Sequence, residues 1–177
     1  VVSADNKVAA IVEVNSETDF VAKNDKFQAY VAEVAAQALT SEAADIDAFL
    51  AETWATDTTK TVNEALAGMI AVIGENMNIR RTSKVTATEG FVSSYIHAGG
   101  KIGVLVEAKA DAFNDKIAEC LRNVAMQVAA LNPKYTSRAE VDQDYIEKET
   151  EILKVQAMNE KPDAKERIID GMVKGRI

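Results

Sequence analysis

The sequence contains one histidine, His97, and one cysteine, Cys120, so nucleophilic or metal chemistry would have to be built from very few groups. His97 precedes Ala98-Gly99-Gly100 at a hairpin tip, where acid–base work would need a nucleophile or a carboxyl group within reach; no such partner is identifiable. Cys120 falls on the apolar face of a helical pattern, which predicts a small core residue rather than a thiolate nucleophile. One histidine and one cysteine cannot supply the usual zinc ligand sets, and a single cysteine excludes an internal disulfide. Glu147, Glu149 and Glu151 are better explained by a solvated helix face than by paired catalytic carboxylates. The glycines form neither GxGxxG nor GxxxxGKS/T, and Gly100 to Gly103 is only a GxxG spacing inside a predicted strand. These residues predict no enzyme, no metal site and no cofactor, and a small hydrolase built on His97 would lack a nucleophile motif.

Two polar strings fit contact better than catalysis. In Thr18-Asp19-Phe20-Val21-Ala22-Lys23-Asn24, Thr18 or Asn24 can cap a helix while Phe20 staples inward, or the segment can serve a partner. In Ile73-Gly74-Glu75-Asn76-Met77-Asn78-Ile79-Arg80-Arg81, Gly74 or Asn76 suits a left-handed helix cap, and the arginines suit carbonyl capping or solvent. Capping alone does not require so specific a string.

The elements that would position these strings follow from an internal repeat. Residues 8–36 align without gaps on residues 102–130, with Glu13 falling on Glu107 and Val34 on Val128, a constant spacing of 94. Each copy reads strand, loop, amphipathic helix, with Phe27, Tyr30, Val31, Val34, Ala38 and Leu39 on the first helix face. On the second, the matching face is Phe113, Ile117, Cys120, Leu121, Val124 and Val128. The spacing sets Phe113 against Asp19 and Asn114 against Phe20, so the Thr18–Asn24 string is not reproduced in the second copy. It also places Asp5-Asn6 on Gly99-Gly100, two pairs that tolerate the positive φ of a tight turn. Only Val1 and Val2 remain of the first hairpin's leading strand, so the chain is expected to begin inside a strand of a longer protein. Thr61-x-x-Glu64 is a capping box opening a helix through Ile73, and residues 76–88 return to strand. Residues 138–161 are charged and helical in pattern, with Val141, Tyr145, Ile152 and Val155 as a thin apolar stripe. A second helix is expected to start at Pro162, completing a helical hairpin.

The 177 residues are 47% hydrophobic and 27% charged, a globular composition with a net charge of −8 that repels phosphate backbones. No apolar run approaches the length of a membrane span, and no basic-then-apolar leader stands at Val1. The expectation is a cytoplasmic protein without direct nucleic-acid or membrane binding.

The strings VEVNSETDFVAKN (residues 12–24), IGENMNIRR (73–81) and YIHAGGKIGVLVE (95–107) closely resemble bacterial elongation factor Ts, and the similarity runs in order along nearly the whole chain. The resemblance implies an α+β fold of two related subdomains, each a three-stranded antiparallel sheet covered by helices, plus a protruding coiled-coil hairpin. Residues 1–88 would be the first subdomain with a truncated first strand, 89–137 part of the second, and 138–177 the hairpin. The implied function is guanine-nucleotide exchange: binding elongation factor Tu·GDP and promoting GDP release during translation elongation. By motif, Thr18, Asp19, Phe20 and Val21 would contact the partner near its magnesium site, with Ile73, Gly74 and His97 also at the partner surface. The alternative is a scaffolding module that binds a partner through the helical hairpin without exchange. The sequence leaves a homodimer open.

Overall fold

The computed structural model describes residues 1–177, which divide into two units, Val1–Asn132 and Pro133–Ile177. In the first unit, β1 (Val8–Ser16) pairs antiparallel with β2 (Met77–Thr86), and β3 (Phe91–His97) pairs antiparallel with β4 (Ile102–Ala108). Between β1 and β2 the chain forms α1 (Asp19–Ala22), α2 (Asp25–Thr40), α3 (Ile46–Ala51) and α4 (Val62–Ile73). After β4 comes α5 (Asp115–Leu131). The fold is therefore α+β, with two small antiparallel sheets covered by helices. As expected from the truncated first strand, only Val2 bridges Ala9 beside β1, and the β3–β4 sheet has two strands.

The repeat is realised in backbone pairing. Val2 bridges Ala9, and 94 residues later Ile96 pairs with Gly103. Val1 and Ala10 exchange backbone hydrogen bonds of 2.8 and 2.9 Å at the positions equivalent to the Tyr95–Val104 pair. The turns agree only at their last position, where Asn6 (φ 57°) and Gly100 (φ 96°) are both left-handed. Ala98 and Gly99 are also left-handed, whereas Asp5 bends its turn by accepting hydrogen bonds from the Ser3 hydroxyl (2.6 Å) and the Lys7 amide (3.0 Å).

The main core forms where the amphipathic helices close on the first sheet. Phe27, Tyr30, Val34 and Ala38 recur at helical spacing along α2 and pack with Ala10, Met77 and Ile79 of the sheet. Phe49 of α3, Trp54, and Val62 and Leu66 of α4 complete the cluster. Gln37 is buried within this region but fully engaged. Its amide donates to Glu52 and to the Thr53 carbonyl, and its oxygen accepts the Ala55 amide at 2.9 Å. Those bonds satisfy polar groups that would otherwise be stranded, and they fix the irregular segment carrying Trp54.

The second helix face is narrower than the sequence predicts. On α5 only Leu121 and Ala125 are buried, while Cys120 and Val124 are exposed, and Phe113 lies exposed ahead of the helix. Cys120 is thus not a core residue. A two-stranded sheet covers a single stripe of the helix, one turn apart at Leu121 and Ala125, and leaves its flanks uncovered.

The second unit contains α6 (Gln143–Glu160) and α7 (Glu166–Arg176). Its seam is Ala157, Ile169 and Val173, flanked by Leu153, Ala164 and Met172. The expected stripe is therefore displaced, since Ile152 and Val155 are exposed. A small residue at the closest approach lets two helices come together, and Ala157 takes that position. Pro162 lies in the connecting turn rather than in the first turn of α7, which starts four residues later at Glu166. Arg176 pairs with Glu160 at 2.7 Å beyond the apolar seam. No helix in the chain is long and apolar enough to cross a membrane.

Candidate functional site

Two helix caps in close succession shape the Thr18–Asn24 string. Thr18 is extended (φ −123°, ψ 156°), and its hydroxyl accepts the Val21 amide at 3.4 Å to start α1. Asn24 then accepts the Lys26 and Phe27 amides at 2.9 and 3.4 Å to start α2. A side chain that caps the next helix ends the previous one, so a single helical turn stands apart from α2. Both capping readings hold. The inward staple does not: Phe20 is 83% exposed, and its neighbour Val21 is the residue that packs against the core. Asp19 lies in the first turn of α1 and pairs with Lys23 at 3.3 Å.

The repeat accounts for this local departure. At the position equivalent to Phe20 the second copy has Asn114, whose side chain accepts the Ile117 amide at 3.1 Å and caps α5. Phenylalanine has no oxygen with which to cap. The first copy therefore starts its long helix later, at Asn24, and the preceding turn is released as α1.

The second string sits at the end of α4. That helix opens with the expected capping box: Thr61 accepts the Glu64 amide at 3.2 Å, and Glu64 accepts the Thr61 amide at 2.8 Å. It closes at Gly74, which is left-handed (φ 82°) and donates to the Ile70 carbonyl at 2.8 Å. Ile73 packs against the core, whereas Val72 is exposed. Glu75 then turns back to α1, accepting the Thr18 amide at 3.0 Å and the Thr18 hydroxyl at 2.6 Å. The two strings thus form one surface. A shallow recess beside Phe20's turn is lined by Val21, Asn24, Lys26, Val72 and Ile73.

Arg80 and Arg81 neither cap helix carbonyls nor stand free, because both pair with Glu13. Consecutive residues of a regular strand point to opposite faces, but the register shifts between Glu13 and Val14 and leaves Arg80 without a cross-strand partner. The bulge brings both guanidinium groups to one carboxylate. Hydrogen bonds from Arg80, then Asn15 and Arg81, hold the Glu13 carboxyl at about 2. A carboxyl with a lowered folded-state pKa stabilises the fold above its ordinary value of 4.5 and loses that contribution as pH falls towards about 2. Accordingly, the melting-temperature difference between the wild type and Glu13→Gln should narrow across that interval in acid melts. A constant difference would assign Glu13 no such role.

His97 ends β3, and its Nδ1 shares a hydrogen bond of 2.9 Å with the Tyr95 hydroxyl. No hydrogen bond or ion pair joins it to residues 18–21 or 73–75, so those two groups meet and His97 does not join them. No group of three or more His, Cys, Asp or Glu side chains is placed to hold a metal ion. Glu75 is the site residue that spacing alone misses. Its only sequence signal is an acid directly after the glycine that ends a helix.

Fold and site together define an α+β protein that presents an exposed aromatic side chain on a one-turn helix at its surface. Residues 17–177 match the family profile described as Elongation factor TS. The chain is 51% identical over 173 residues to elongation factor Ts of Clostridioides difficile (strain 630), covering 98% of this chain and 55% of that protein. It is 45% identical over 177 residues to elongation factor Ts of Clostridium tetani (strain Massachusetts / E88), covering 99% of the chain and 57% of the relative. For elongation factor Ts of Halothermothrix orenii the identity is 48% over 177 residues, covering 99% and 58%. The chain belongs to the elongation factor Ts family, a family of translation elongation factors. It spans just over half the length of these curated relatives.

Proposed function

We propose that this chain is the partner-contacting core of a guanine-nucleotide exchange factor that binds elongation factor Tu·GDP and promotes GDP release, with no covalent chemistry of its own. The observation that carries this reading is the exposure of Phe20 on a one-turn helix seated on a buried scaffold. An aromatic side chain left in water gains its burial energy only when a partner covers it, which makes it an anchor for association. Phe20 acts as a wedge beside the magnesium site of the GTPase, with Asp19 next to it. Thr18 and Val21 fix the turn that carries them. Ile73 and Gly74 extend the contact from the end of α4, and His97 adds contact from the β3–β4 turn. Exchange then follows from linkage: a factor that binds the nucleotide-free GTPase more tightly than its GDP form weakens GDP binding by the same factor. Loss of magnesium removes charge compensation from the diphosphate, so no residue of this chain needs to touch GDP.

Stopped-flow release of fluorescent GDP from elongation factor Tu, with and without the chain, tests the proposal, and faster release is expected. The exposed row Ile152, Val155 and Met158 on α6 supports a second reading, a scaffold that docks through the α6–α7 hairpin. Binding to elongation factor Tu with an unchanged rate of GDP release would favour the scaffold.

A further inference from the structure

We propose that Glu75 is a positioning residue whose carboxylate seats the Thr18-capped turn against the end of α4 and thereby holds Phe20 in its presented orientation; this rests on the exchange reading above. The four residues of α1 make a helix too short to persist alone, because nucleation fixes several dihedral angles for very few hydrogen bonds. Its own backbone bonds are Ala22 to Thr18 (3.2 Å), Lys23 to Phe20 (3.3 Å) and Asn24 to Val21 (2.9 Å). The Asp19–Lys23 pair adds little, since both side chains are well exposed and screened by water. Phe20, mostly exposed, has little packing to orient it. Val21 anchors the turn on the core, the Ser16 hydroxyl donates to the Thr18 carbonyl at 3.1 Å, and the Gln28 side-chain amide donates to the Ala22 carbonyl at 3.2 Å, but none of these ties the turn to the end of α4.

Glu75 provides the tie to α4. Its two oxygens accept from the amide and the hydroxyl of Thr18, and that same hydroxyl accepts from the Val21 amide. Bonds to an ionised acceptor are stronger than neutral ones, and paired bonds fix direction as well as distance. The carboxylate is itself held in place, since it follows the left-handed Gly74 at the end of a helix anchored by Val62, Leu66 and Ile73. A negative charge at a helix C-terminus opposes the helix dipole, so this acid does not serve the stability of α4. Its geometry serves α1.

The test compares Glu75→Ala and Glu75→Gln in the whole chain, reading amide hydrogen exchange and GDP release from elongation factor Tu. Glu75→Ala should speed exchange at the Ala22, Lys23 and Asn24 amides by roughly tenfold, leave Gly74 and the α4 amides protected, and slow GDP release by roughly tenfold. Glu75→Gln can still accept the Thr18 amide but lacks the second acceptor oxygen and the charge, and it should fall between Glu75→Ala and the wild type in both properties. In a Phe20→Ala background, Glu75→Ala should add no further loss of GDP release. If Glu75→Ala lowers global stability, Thr18→Val, which removes only the hydroxyl bonds, carries the same comparison. Unchanged protection of the α1 amides would overturn the inference, as would a full Glu75→Ala loss persisting without Phe20. If Phe20→Ala alone leaves GDP release unaltered, the wedge reading fails instead, and the amide protection still decides whether Glu75 positions the turn.

Discussion

Phe20→Ala should leave the melting temperature of the free chain nearly unchanged while reducing partner affinity or exchange efficiency roughly ten- to a hundredfold. The first half follows from exposure: a side chain with 83% of its surface in water has few packing contacts to lose. The second follows from what a partner would cover, because burying a phenylalanine is worth about 1.5–3 kcal/mol, which converts to that range of affinity. Asp19→Ala should act in the same direction. The two effects should be non-additive if both residues engage one site, since neighbours on a single turn share contacts. Thermal melts and GDP-release rates for both single mutants and the double mutant separate the cases. A strongly destabilised Phe20→Ala chain whose folded fraction still exchanged normally would contradict the wedge.

Phe49→Ala should give the opposite signature. Phe49 is 1% exposed and packs in the cluster that joins α2, α3 and α4 to the first sheet. Truncating a buried aromatic costs about 3–5 kcal/mol through lost transfer energy and the cavity left behind. For a chain of this size that corresponds to a fall in melting temperature of roughly ten degrees. At a temperature where the variant remains folded, its effect on GDP release should be small. A melt that barely moved would mean that the region around α3 does not belong to the cooperative core.

The contrast between these phenylalanines marks where sequence reading works and where it fails. Repeated apolar spacing made α2, α4 and the strands legible, because each side chain in such a pattern reports the same buried face. The cap of α4 was legible too, since Thr61, Glu64 and Gly74 act on the backbone within a few residues of themselves. The resemblance directed attention to Phe20, but the same residues also allowed an inward staple, and only tertiary placement separates the two. Residues 41–60 gave no readable pattern, although they deliver Phe49 and Trp54 to the core. Their order depends on the buried amide of Gln37, a long-range partner that no local spacing announces. Cys120 and the α6 stripe failed for a related reason. Periodicity identifies a face but not how much of it a neighbour will cover. A narrow sheet and a seam centred on Ala157 left large apolar residues such as Ile152, Val155 and Val124 outside. Glu75 was legible only as an acid after a glycine, because its partner lies 57 residues away.

The two hairpins share one pairing register, and the helices that follow keep the same spacing through Phe27 and Leu121, both buried. No residue has been inserted between hairpin and helix in either copy. The presenting turn therefore occupies chain that in the second copy forms the Asn114 cap and the start of α5, and its capping position holds an aromatic residue instead of an asparagine. After a duplication, one copy can keep the ancestral job of folding while the other is free to acquire a recognition surface. Here that divergence adds no length between hairpin and helix and keeps Phe27 and Leu121 buried at equivalent positions. The second copy accordingly shows the same hairpin-to-helix connection without the exposed aromatic residue.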